Sequence, residues 1–118
     1  MNTKSGTISF FELGVADTDR GRAFYEGLFG WTFETGPSGN GWMLGTPGVP
    51  GGMHPGDPQA VPYVFFAVED MDQAVARMLE LGGEIVPFDH GDDTRFGRFE
   101  FCKDDQGSAF GLHEPPKR

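Results

Sequence analysis

Apolar and polar residues alternate with period two over ISFFELGV, from Ile8 to Val15, and the pattern predicts a strand. Phe11, Leu13 and Val15 share one face of it, and Phe10, Glu12 and Gly14 share the other. From Asp17 the spacing becomes helical. Phe24 and Leu28 lie four apart, as do Tyr25 and Phe29; Asp17 can cap the first turn, Asp19 sits near its positive end, and Gly30 stops it. WTFET and GWMLGT then read as strands separated by the turn-rich GPSGN, with a third short strand around Gly51 to His54. Beyond the seam PGVPGGMHPGDPQAVP, the strand pattern restarts in YVFFAV. A second helix is expected from Asp70 to Leu81, its apolar face formed by Met71, Ala74, Val75, Met78 and Leu79. Asp70 and Gln73 have capping-box spacing, and Gly82-Gly83 closes the helix. EIVPF, RFEFC and SAFGLH supply three more strands.

The same pattern is therefore written twice. VADTDRGRAFYEGLFGW returns as VEDMDQAVARMLELGGE, with Val15, Asp17, Asp19, Leu28 and Gly30 answered by Val68, Asp70, Asp72, Leu81 and Gly83. Each half reads β-α-β-β-β, as an internal duplication would. The expected organisation is a single domain: a first module at about 7–54, a linker at about 55–61 and a second module at about 62–114.

Composition narrows the function classes. A chain of 118 residues with 37% hydrophobic residues and twelve Phe can bury a core. Its net charge of -9 repels phosphate backbones and anionic lipid, so neither nucleic acid nor a membrane surface is an expected partner. No stretch approaches the ~20 apolar residues of a membrane span, and MNTKSGTISFFEL has no signal-peptide core. Cys102 is the sole cysteine, which excludes an intrachain disulfide and suits a cytoplasmic setting.

FFELGVADTDRGRAFYEGLFGW resembles the opening of the vicinal oxygen chelate superfamily: the glyoxalase, bleomycin-resistance and extradiol dioxygenase group. DDQGSAFGLHEP resembles the closing strand of its glyoxalase-like branch, with Asp105-Gln106 where Asp-Pro is usual. The resemblance covers nearly the whole chain. It implies an α+β fold of two β-α-β-β-β modules related by a pseudo-two-fold, with a curved mixed sheet forming a cup around the ligand. It also implies a homodimer, a prospect supported by short Gly-rich strands with edges to cover. Enzymes of the family hold a divalent metal from the first and last strands of each module. Those positions fall here on Phe10, Gly52, Tyr63 and Gly111, none of which is a good metal ligand. No metal or other cofactor is therefore expected.

The residues offer other chemistry. Glu12, His54 and Phe65 each lie two residues beyond one of those positions, and so does His113. Glu12, His54 and His113 could share one layer of the cup as a displaced metal triad; alternatively His54 is a solvated loop residue and His113 finishes a strand. Glu12 is the stronger candidate, as a ligand contact or a general base, unless it is salt-bridged to Arg95 or Arg98. Glu100 could join it or face solvent. Phe10, Trp42, Tyr63 and Phe65 would make an aromatic lining suited to a flat or apolar ligand, or simply a core. His90, Asp92, Asp93 and Arg95 occupy a polar loop that could cover the cup. The leading expectation is a small-molecule binding protein whose pocket comprises Phe10, Glu12, Trp42, Tyr63, Phe65, Glu100, Gly111 and His113. The alternatives are a lyase- or isomerase-like enzyme using Glu12, the displaced metal site, and an acidic interaction module.

Overall fold

The computed structural model describes residues 4–57, 62–88 and 94–117. The first half runs β1 (Ile8–Gly14), α1 (Thr18–Phe29), β2 (Thr32–Thr35), β3 (Trp42–Gly45) and β4 (Gly51–His54). The second runs β5 (Tyr63–Ala67), α2 (Met71–Glu80), β6 (Glu84–Val86), β7 (Arg98–Lys103) and β8 (Ala109–Glu114). The Asp17 carboxylate accepts the amides of Asp19 and Arg20, and Gly30 ends α1 with φ 73°. Asp70 accepts the Gln73 amide at the start of α2, but that helix ends on Leu81 with φ -83°, one residue before the glycine pair. The strand expected over EIVPF is shortened to Glu84–Val86, because Pro87 has no amide to continue the ladder.

All eight strands join one sheet in the order β2-β3-β4-β1-β5-β8-β7-β6. Each module contributes the same spatial sequence, read outward from the central β1/β5 pair. β1 runs parallel to β4 and β5 parallel to β8, whereas β1 and β5 are antiparallel. The sheet is mixed and does not close into a barrel.

One face carries the helices. Leu13, Leu44 and Met53 pack with Tyr25 and Trp31 at α1, and Met71, Cys102 and Leu112 pack with Val75 and Met78 at α2. The Cys102 thiol is buried there, its pKa pushed up to about 11 by desolvation and then by the charge of Glu100. The opposite face has its own apolar cluster, in which Phe10, Met43 and Phe65 are covered by Tyr63, Phe96, Phe99 and Phe101. Among the described residues no helix is long and apolar enough to cross a membrane.

Candidate functional site

Strand alternation decides what faces the cup. Phe10 and Glu12 project from β1 away from the helices, and the ladder places Gly52 of β4 and Tyr63 of β5 on either side of Glu12. Gly52 in turn pairs with Met43. Phe99 and Phe101 face the cup from β7, across from His113 and Gly111 of β8. Together these elements border a cavity of about 810 Å³, aromatic on the second-module side and polar around Glu12, His54 and Asp57.

The polar end is built from one turn. His54 closes β4, and Pro55-Gly56 folds the chain back so that the Asp57 amide reaches the Val15 carbonyl, while the Val15 amide reaches that of His54. This pins Asp57 beside His54. The His54 imidazole then lies between two carboxylates, with Nδ1 2.6 Å from Glu12 Oε2 and Nε2 3.2 Å from Asp57 Oδ2. An ionised carboxylate can only accept, so with both ionised the ring carries both protons as imidazolium. Side-chain exposure rises along this line, from 10% at Glu12 to 31% at His54 and 49% at Asp57.

The carboxyl of Glu12 is held above its ordinary range, because burial outweighs the hydrogen bond and charge of His54. The imidazole of His54 is also raised, chiefly by its bond to Glu12 and secondly by that to Asp57, against partial desolvation. Tyr63 is pushed up by burial and by the Glu12 charge, so its phenol stays protonated. Glu12 spends Oε2 on His54. Among the described residues no buried side-chain polar atom lacks a hydrogen-bond partner, and no partner engages Oε1, so Oε1 opens to the cavity.

Several sequence expectations are redirected. Glu12 pairs with His54 rather than with an arginine; Arg98 reaches Asp72 and Arg95 reaches Glu34. His54 is a strand residue bonded to two carboxylates, not a solvated loop residue. His113 does not join them. Its Nε2–H donates to the Phe96 carbonyl, which fixes Nδ1 as acceptor for the Ser9 hydroxyl, and its ring stacks on Phe99. Burial lowers its pKa, in keeping with a neutral ring. The displaced triad therefore does not assemble, and among the described residues no group of three or more His, Cys, Asp or Glu is placed to hold a metal.

Trp42 borders the cavity, but its ring belongs to the helix side. It pairs with Met53, its Nε1–H donates to the Thr18 carbonyl, and Arg22 lies over it. Met43, one residue on, holds the cup position in its place. Glu100 likewise touches the border, yet it pairs with Leu112 on the α2 face and does not join Glu12. Gly111 is covered by Phe65. His90, Asp92 and Asp93 lie outside the described residues. Sequence reasoning missed Met43, Phe88, Phe99, Phe101 and Asp57 as cavity residues. A His-Pro-Gly-Asp turn was the available signal for Asp57.

The four positions at which the resemblance implies metal ligands are Phe10, Gly52, Tyr63 and Gly111. A Cβ on Gly52 would lie 2.5 Å from Glu12 Oε1, and one on Gly111 would lie 2.1 Å from the Phe65 ring. Phe10 is buried in the aromatic cluster, and Tyr63 keeps its proton. These residues do not fit a metal.

Residues 7–112 match the model of the Glyoxalase/Bleomycin resistance protein/Dioxygenase superfamily. A candidate glyoxylase, CFP32, of Mycobacterium tuberculosis is 31% identical over 92% of this chain and 46% of its own length. The anthracycline biosynthesis protein DnrV of Streptomyces peucetius is 29% identical over 91% of this chain and 46% of its own. This chain thus spans about half the length of the curated relatives it matches. Among solved structures, methylmalonyl-CoA epimerase of Mycobacterium tuberculosis superposes with a TM-score of 0.66 at 22% identity, covering 99% of this chain and 94% of that one. The hypothetical protein BH1468 of Bacillus halodurans C-125 does so with a TM-score of 0.70 at 12% identity, covering 98% of each.

Proposed function

This chain belongs to the Glyoxalase/Bleomycin resistance protein/Dioxygenase superfamily, and within it we propose a member that binds a small organic molecule in the cup without a metal. The observation that carries this reading is Glu12, a nine-tenths buried carboxylate with one oxygen open to a cavity of about 810 Å³. That volume is in the range of small-molecule sites. Phe99, Phe101, Phe88 and Tyr63 offer a wall for a flat, largely apolar body, and Glu12 Oε1 offers one acceptor to orient it. One relative is named for anthracycline biosynthesis, and a fused-ring ligand would suit such a wall. An interaction module acting only through its acidic surface would have no use for the cavity. The test is a screen of flat aromatic fragments by NMR on protein with labelled methionine methyls. Met43 in the cup should shift on binding while Met71 under α2 stays still. No fragment perturbing Met43 at millimolar concentration would overturn the proposal.

A further inference from the structure

We infer that the cup is also a metal-free site of proton abstraction, in which Glu12 Oε1 is the base and His54 and Asp57 are positioning residues that hold it and set its charge. The inference rests on the reading that the cup admits a flat organic molecule. Its geometry is independent of any metal position. Oε2 is fixed 2.6 Å from His54 Nδ1, so the carboxylate cannot rotate freely, and the other oxygen is presented to the cavity. Gly52 makes room for it, since any side chain there would collide with Oε1. His54 is in turn held by Asp57 at 3.2 Å, on a turn anchored to the end of β1. A carboxylate removed from water but kept within reach of a substrate is the arrangement that makes a carboxyl a useful base.

The substrate class follows from the walls: a flat, apolar-bodied carbon acid whose acidic C–H reaches Glu12. The proton passes to Oε1, and the C–H electron pair moves into the substrate. With His54 as imidazolium, the ionised Glu12 is partly neutralised and is a weaker base. When His54 loses its proton, Glu12 keeps its charge without a cation beside it and becomes stronger. The groups facing this carboxylate are His54 from β4, the protonated Tyr63 phenol from β5 and, through His54, Asp57; Arg98 is paired with Asp72.

5-Nitrobenzisoxazole is a suitable probe. Removal of its C3 proton breaks the N–O bond; the C–H pair forms the nitrile, the N–O pair leaves on oxygen, and 2-cyano-4-nitrophenolate is released while Glu12 returns its proton to water. The expected result is saturable turnover, reduced about 10²-fold or more in Glu12→Gln, with probe binding by equilibrium dialysis retained. Asp57→Asn should move the alkaline rise in kcat/KM to lower pH, because His54 loses a bond that favours its protonation. A merely supportive Asp57 would lower the rate at every pH and leave that rise in place, which would overturn its assigned role. Probe that binds but does not react, or turnover unchanged in Glu12→Gln, would overturn the base while leaving the binding reading intact. Absence of any probe binding would overturn both.

Discussion

Replacing Glu12 by Gln should change stability in a way that depends on pH, and the sign can be worked from the structure. Glu12 is 8% exposed, and its carboxyl is raised above its ordinary 4.5 because burial disfavours the ionised form. Below 4.5 the side chain is protonated in both folded and unfolded chains, and Gln is close to an isostere. As pH rises, the unfolded chain ionises first, so the folded state holds the extra proton and stability falls until pH passes the folded pKa. Each unit of elevation corresponds to about 1.4 kcal/mol. His54 is raised as well, so its contribution is also present at low pH and lost as pH climbs through its folded pKa above 6.5. Gln cannot ionise, and it gives His54 a neutral partner. One neutral-for-charged exchange costs the variant about 1 kcal/mol wherever the ion pair exists. Burial exceeds that bond in this site, so as pH rises from about 4 to about 8 the balance should move toward the variant. For a domain of this size each kcal/mol is read as about 4 °C in Tm. Paired thermal and urea melts of both proteins across that range would measure it. A difference that is constant with pH, or that moves toward the wild type at high pH, would refute the reasoning and make the Glu12–His54 pair a net stabiliser.

Three further outcomes are expected. Gly111→Ala should destabilise by about 1–3 kcal/mol, since its Cβ would enter the fully buried Phe65 ring, and urea denaturation would show the loss. Gly52→Ala should displace the Glu12 carboxylate and break its 2.6 Å bond, so the His54 midpoint followed by NMR should fall toward 6.5; an unchanged midpoint would show that Glu12 is not what holds it up. A homodimer is expected because Phe24, Leu28 and Phe29 leave a large apolar surface exposed on α1, and light scattering at micromolar concentration should give a mass near twice 12.9 kDa. A mass near the monomer value would count against it.

What the sequence made legible was whatever depends on period and punctuation. The Asp caps, Gly30 and the two apolar helix faces located α1 and α2, and alternation along ISFFELG put Glu12 opposite Leu13. The same alternation failed for GWMLGT because its register was not fixed: Trp42 and Met43 are adjacent, both apolar, and either could face the cup. Only pairing with Gly52 and Met53 decides between them. Glu100 was ambiguous for a related reason. Its neighbours Phe99 and Phe101 had to be assigned a face first, and β7 has aromatic partners on the cup side through its contact with β8. The partner of Glu12 was hidden more deeply. His54 and Asp57 sit in a Gly/Pro-rich seam where composition argues for a loop, and the parallel pairing of β1 with β4 joins residues 42 positions apart.

The glycines at two of the implied ligand positions lie against side chains that a larger residue would meet. Each glycine is in close approach with a neighbour: Glu12 Oε1 occupies the space above Gly52, and the Phe65 ring occupies that above Gly111. A His or Glu placed at Gly52 would therefore meet a carboxylate already bonded to His54, and one placed at Gly111 would meet the fully buried Phe65. A larger side chain at Gly52 would require the Glu12 carboxylate to move off His54, and one at Gly111 would require the Phe65 ring to yield. The polar end of the cup beside Gly52 is thus held by the linked side chains of Glu12, His54 and Asp57.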